Sequence, residues 1–184
     1  MRLTVYTDFS LRMLIYLAVK DGGLATIAEV ARSYSISEHH LTKVAHQLGR
    51  TGYVTTVRGK GGGLKLAKPA QEIGLGAVVR QTEPDMALVP CFSSPENPTG
   101  LPCAIVPACG LRNVLDEARQ AFMSILDRYT LADLVQRRAG LQSLLMRPAS
   151  PALASQTEPL RANSEDPAEL SGDHDRPRGG SGQR

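Results

Sequence analysis

Residues 26–68 read TIAEVARSYSISEHHLTKVAHQLGRTGYVTTVRGKGGGLKLAK, and the order of signals along them sets the fold. Thr26 is placed to cap a short helix running through Ser33, with Ile27, Val30 and Ala31 on its apolar side. Tyr34, Ser35 and Ile36 form a tight connection, and Ser37 is a good N-cap with Glu38 favourable in the first turn after it. Leu41, Val44 and Leu48 then recur at helical spacing, and Gly52 ends that helix. Tyr53–Val57 is aromatic and β-branched, while Leu64 and Leu66 alternate with Lys65. The two runs flank Gly59–Gly63, which predicts a β-hairpin with a flexible basic tip. Upstream, residues 9–20 set Leu11, Leu14, Ile15 and Ala18 on one helical face. Helix, short helix, turn, helix and hairpin is the order of a winged helix-turn-helix. The expected class is mainly α with one small hairpin.

That order places chemistry. The third helix carries Ser37 at its cap and then Glu38, His39, His40, Thr42, Lys43, His46, Gln47 and Arg50 on its polar side. Such a helix is suited to the major groove. The hairpin tip adds Arg58 and Lys60 among glycines, which let a backbone approach phosphates. Charge agrees: residues 1–70 hold ten Lys and Arg against four acids, a balance of +6 in a chain whose net charge is +3. A basic region of this kind points to a polyanion, here double-stranded DNA. The 184 residues suffice for one domain with an extra segment. No apolar run reaches the roughly 20 residues that span a bilayer, and MRLTVYTDFSLR is not a secretory signal, so no membrane partner and a cytoplasmic location are expected.

Downstream the pattern changes. Residues 72–83 read as a short helix interrupted by glycines. Residues 84–108 contain Pro84, Pro90, Pro95, Pro98, Pro102 and Pro107, too dense for a helix, so a long loop is expected. From Leu111, the residues Val114, Leu115, Ala118, Phe122, Ile125, Leu126 and Tyr129 continue an apolar stripe over about 20 residues, which suits a dimerisation helix or packing on the chain's own core. Thr130-Leu131-Ala132-Asp133 resembles a cap opening one more short helix. The last 37 residues hold five Pro, five Ser and four Gly with no aromatic, a composition expected of a disordered tail. The organisation is thus a winged domain over 1–83, a cysteine loop over 84–109, long and closing helices over 110–147 and a tail over 148–184.

All three cysteines, Cys91, Cys103 and Cys109, fall within 19 residues in or beside the proline-rich loop. Cys109 is expected at the N-terminus of the long helix, where the dipole favours a thiolate. Thiolates suit iron–sulfur clusters or zinc, but both usually take four ligands. Three cysteines therefore leave one position to another residue, to a second subunit or to solvent. Cysteine catalysis needs a Cys–His pair, yet His39, His40 and His46 lie on the third helix and His174 in the tail. No Walker loop, dinucleotide fingerprint or nucleophile elbow is present, so an enzyme is not expected. The alternatives left open are a winged-helix regulator with a zinc or thiol-redox switch, and an iron–sulfur handling protein or enzyme that binds no DNA.

Three stretches carry a resemblance to a known family. They are MRLTVYTDFSLRMLIYLA (residues 1–18), QLGRTGYVTTVRGKGGGLKLAKPA (47–70) and PCAIVPACGLRNVLDEARQAFMSILDRYTLADLV (102–135). They resemble the opening helix, the recognition-helix end and wing, and the cluster loop with its long helix in the IscR-related winged-helix regulators. The last stretch is similar to the branch of iron–sulfur repressors that sense nitric oxide. The resemblance covers roughly residues 1–140. It implies a homodimeric repressor with one iron–sulfur cluster per subunit, either 2Fe-2S or 4Fe-4S, held by Cys91, Cys103 and Cys109. It implies that Asp8 is an iron ligand donated across the dimer, and that nitric oxide releases the operator of nitrosative-stress genes. By the bland alternative, Thr7 or Asp8 caps the first helix, and Arg12, one turn on, is placed to pair with Asp8 when no cluster is bound. A two-fold dimer predicts an inverted-repeat operator. The interval FSSPENPTGLP between Cys91 and Cys103 is longer than the family's, and the tail is an addition to it.

Overall fold

The computed structural model describes residues 2–20, 22–84, 86–92 and 103–146. The expected tail and most of the interval between Cys91 and Cys103 lie outside them. Helix α1 spans Val5–Lys20, opening four residues earlier than the apolar stripe indicates. Its cap is Thr4, whose Oγ1 accepts the Thr7 backbone N–H at 3.2 Å. Thr7 and Asp8, expected as caps, therefore sit in the first turn. The β-branched Val5 and Thr7 are indifferent helix formers, which hid that turn from a reading by periodicity. Toward its C-terminal end Met13, Leu14, Tyr16, Leu17 and Val19 are all buried.

Helix α2 is Ile27–Tyr34, closed at its start by a reciprocal capping box between Thr26 and Glu29. Burial works against the Glu29 carboxylate, but bonds from Lys20 and from the Thr26 N–H and hydroxyl outweigh it and hold its pKa below the usual range. The Lys20 contact, 2.8 Å long, ties the end of α1 to α2. Ser35 turns the chain in the left-handed region at φ 54°, and α3 follows as Glu38–Arg50. Leu41, Val44, Ala45 and Leu48 bury its inner face. Strands β1 (Val54–Val57) and β2 (Gly63–Leu66) pair antiparallel, Val54 opposite Leu66 and Val57 opposite Gly63. The winged helix-turn-helix read from residues 26–68 is the observed arrangement.

Helix α4, Leu75–Thr82, is uninterrupted by its glycines. Gly74 is its N-cap, and Gly76 is buried within it because a Cβ there would land on Asp127 Oδ1. Helix α5 covers Gly110–Asp127, and two more follow, α6 at Leu131–Leu134 and α7 at Arg138–Leu145. The expected Thr130–Asp133 capping box opens α6. Helix α7 was not separated from it in the sequence. Its Arg138 donates to the Ala18 and Val19 carbonyls and its Gln142 to Val19, filling acceptors that the end of α1 leaves open. The proline-rich segment forms no α-helix among its described residues, but does form 3-10 turns at Pro90–Phe92 and Val106–Ala108. No described helix is long and apolar enough to cross a membrane.

Gly76 gives one stability prediction. Gly76→Ala displaces the Asp127 carboxylate, the end of a short side chain in an ion pair open to water, which contributes little. It gains about 0.5–1 kcal/mol of helix propensity. Thermal melting of Gly76→Ala is expected within about 4 °C of the parent; a far larger loss would mean that the backbones of α4 and α5 cannot part at this point.

Candidate nucleic-acid interface and cysteine loop

The two faces of α3 separate cleanly. Ser37, Glu38, His39, His40, Thr42, Lys43, His46 and Arg50 are exposed, and Gln47 is half-buried. The Ser37 hydroxyl makes no capping bond, so this expected cap acts by backbone geometry alone. Thr42 bonds back to the Glu38 carbonyl at 2.8 Å. The His39 and His40 rings lie 6.1 Å apart, and His40 is the same distance from Phe9 of α1. The polar face of α3 therefore meets the first helix at Phe9, one residue beyond Asp8.

The wing is anchored as well as basic. Arg58 and Lys60 are exposed at its tip. Gly59 and Gly61 take positive φ values of 103° and 79°, and the Gly62 N–H closes the turn on the Gly59 carbonyl at 2.9 Å. The tip is thus a defined turn, where the sequence suggested only flexibility. Ala25 and Leu64 exchange both backbone bonds, at 2.9 and 2.7 Å, which stitches β2 to the α1–α2 connection. A side chain on Gly63 would collide with the Ala25 carbonyl. Ala25 escaped the sequence reading, and the glycine opposite it was the only signal.

Asp8 sits in the first turn of α1 with its carboxylate 2.9 Å from Arg12 Nε, as the spacing indicates. The Arg12 guanidinium also lies 5.8 Å from the centre of the Tyr34 ring. Burial pushes the Tyr34 phenol up to about 12, against the opposing pull of Arg12.

The cysteines occupy three small turns. Cys91 lies in the Pro90–Phe92 turn. The Cys103 carbonyl accepts from Val106 N, and the Val106 carbonyl accepts from Cys109 N, so this segment folds into consecutive turns that deliver Cys109 as the N-cap of α5. The Cys109 side chain makes no capping bond. Arg112, in the first turn of α5, lies 5.9 Å from the Phe92 ring centre and draws the Cys91 turn toward that helix end. All three thiols are free of disulfides, Cys103 exposed and the others half-buried. Within one chain, no three His, Cys, Asp or Glu among the described residues are close enough to hold a metal ion.

Helix α5 buries only Met123. Along the stripe read from the sequence, Leu111 is 64% exposed, Val114 62%, Ile125 48% and Tyr129 46%, while Leu115, Phe122 and Leu126 are half-buried, so the chain covers the stripe only in part.

Comparison with known proteins agrees with this geometry. The Rrf2 family, described as iron-dependent transcriptional regulators, matches residues 3–137. The HTH-type transcriptional regulator NsrR of Bacillus subtilis is 48% identical over 146 residues, 79% of this chain and 97% of that protein. Its namesake in Geobacillus kaustophilus is 49% identical over the same shares. Among solved structures, CymR, the global cysteine regulator of B. subtilis, superposes with a TM-score of 0.60 at 26% identity, over 74% of this chain and 98% of that one. IscR of T. potens shares the fold, with a TM-score of 0.59 at 21% identity over 77% and 91%.

The wing gives a prediction. A Cβ on Gly62 would strike the carbonyl oxygens of Val57 and Gly59, and the backbone must move to admit it. Gly62→Ala is expected to weaken binding to duplex DNA about tenfold, roughly 1.4 kcal/mol, while melting near the parent temperature, because the tip carries no core. Unchanged affinity by fluorescence anisotropy would remove the wing from the interface.

Proposed function

This chain belongs to the Rrf2 family, a DNA-binding transcriptional regulator and not an enzyme, and from that premise we propose that it is a homodimeric repressor that releases its operator in response to nitric oxide through an iron–sulfur cluster. The observation that carries this reading is the double role of α5. One end is capped by a cysteine of the thiol loop, and its length presents an apolar stripe that the chain covers only in part. A second copy laid along that stripe would bury it and bring two recognition helices into two-fold relation. An inverted-repeat operator in cytoplasmic DNA follows, with α3 in the major groove and Arg58 and Lys60 on the backbone.

The donor set suits the cofactor. Cys91, Cys103 and Cys109 are soft ligands free of disulfides, and the Cys109 side chain is not spent on capping. Three donors are incomplete for either a 2Fe-2S or a 4Fe-4S cluster, and Asp8 of the partner subunit would supply the fourth. When bound, the cluster supplies iron that reacts with nitric oxide. The chain's own part is the choice open to Asp8, which either reaches across the dimer or pairs with Arg12 as seen here. Exchange between the two shifts a charge in the first turn of α1, beside Phe9 and hence beside His40.

Anaerobic purification with iron and zinc analysis, followed by a nitric oxide titration, tests the cofactor. A brown, iron-containing protein whose visible absorbance responds stoichiometrically, and whose operator binding is lost in step, is the expected result. A colourless protein that takes up zinc, or no metal after anaerobic reconstitution, would replace it with a zinc or thiol switch. For the DNA surface, Arg58→Ala/Lys60→Ala should reduce the slope of log affinity against log salt by about 1.8, near 0.9 for each phosphate that is no longer neutralised. An unchanged slope would mean that neither side chain meets a phosphate.

A further inference from the structure

Helix α4 carries none of the cysteines and none of the side chains proposed to face DNA, yet one end is tied to α5, whose cap is Cys109, and the other to α1, whose Phe9 meets His40 of α3. At its start, Leu75 N donates to the Tyr129 carbonyl at 2.9 Å and Leu131 N to the Ile73 carbonyl at 2.8 Å. On the outer turn, Arg80 Nη1 and Nη2 donate to Asp127 Oδ1 and Oδ2 at 2.7 and 2.5 Å. Gly76, one turn before Arg80, leaves the space in which the Asp127 carboxylate sits. At its other end, the buried Thr82 hydroxyl accepts from Thr7 at 2.9 Å and donates to the Val78 carbonyl at 3.0 Å. Beyond it the Glu83 carboxylate accepts the Thr4 backbone N–H at 2.8 Å. Asp8 follows Thr7 directly, and Cys109 caps the end of α5 opposite Asp127.

We propose that Arg80 and Asp127, admitted by Gly76, are positioning residues that fix the angle of α5 against α4 and so couple the state of the cysteine loop to the Asp8 turn and the recognition helix. The Arg80–Asp127 pair is half-exposed, so it adds little to stability. The chain nonetheless keeps a glycine inside a helix to seat it, at some cost in helix propensity. What a bidentate guanidinium–carboxylate pair provides is orientation. Eighteen residues make α5 about 27 Å long. A swing of about 10° at the Asp127 end therefore moves the Cys109 end by about 5 Å. Because α4 also holds Thr4 and Thr7, the same swing bears on the first turn of α1, whose Phe9 meets His40.

The inference rests on the sensor reading, and its test separates the two. Full-length Asp127→Asn and Gly76→Ala are prepared with and without the cluster. Both should keep the parent's iron content and visible spectrum. The ratio of operator affinities with and without cluster should fall to within about threefold of unity. In the cluster-free protein, amide hydrogen exchange at Thr7–Ser10 should rise about fivefold or more in both variants, a distance effect that a local tether does not produce. Exchange that rises only beside Gly76 and Asp127 overturns the proposal, and so does a parental affinity ratio. If the parent itself shows no ratio, the sensor reading has failed, and exchange at Thr7–Ser10 alone decides whether α4 couples the two helices.

Discussion

Helix α1 has no dry side and wet side over its last two turns. Met13, Leu14, Tyr16, Leu17 and Val19 point in several directions, and each is buried. A helix that is apolar all round needs cover all round. The rest of the described fold supplies it: α2 and α3 on one side, β2 at the wing, and α4, α6 and α7 closing the remaining arc. Even the polar end of α1 is enclosed, its last carbonyls taken by Arg138 and Gln142 and Lys20 paired with Glu29. The late helices therefore share one core with the helices before residue 83.

Helix α5 is the exception that follows from this arrangement. With α1 already covered, α5 packs chiefly against α4, and Met123 is its one buried residue. Its stripe remains partly open, with Leu111 and Val114 nearest the cysteine end most exposed. Contiguous exposed apolar surface is the usual mark of an interaction site. The same helix leaves apolar residues open and is capped by a cysteine of the thiol loop, which on the proposed reading takes a ligand from outside the chain. A dimer answers both requirements with one surface, which is why the cofactor and the oligomeric state belong to a single proposal.

What was legible in the sequence is what local chemistry dictates. Thr26 with Glu29, and Thr130 with Asp133, are capping boxes whose partners stand three residues apart, so each could be read in place. The inner and outer faces of α3 followed from a 3.6-residue period, and the hairpin from alternation around glycines. Most of the misses are long-range. Thr4 caps locally through the Thr7 N–H, but its own N–H is taken by Glu83, far along the chain. Gly76 looked like a helix interruption because Asp127, its reason for being small, lies 51 positions away. Ala25 pairs with Leu64 through backbone atoms that no side-chain pattern reports. The thiol loop was legible only as composition. The 3-10 turns that carry its cysteines are closed by local backbone bonds that no side-chain pattern reports, and the Arg112–Phe92 contact spans the loop.

The weakness of the Asp8–Arg12 pair bears on how such a switch must work. Both side chains are nearly half-exposed, and an exposed i,i+4 pair contributes only about 0.3–0.5 kcal/mol. A bound group shifts a conformational equilibrium by its differential affinity for the two states and by nothing more. Moving a population from 1:99 to 99:1 takes about 5.5 kcal/mol of such difference. Arg12 cannot provide that, so it cannot drive the protein off DNA by capturing Asp8. On the proposed reading the driving term lies with the ligated state: the cysteines and the partner's Asp8 together must hold the DNA-binding geometry, and their release lets it relax. Arg12 then serves a smaller purpose. It gives the freed carboxylate a partner in the first turn of α1, where an unpaired charge would otherwise sit beside the half-buried Phe9 that touches the recognition helix.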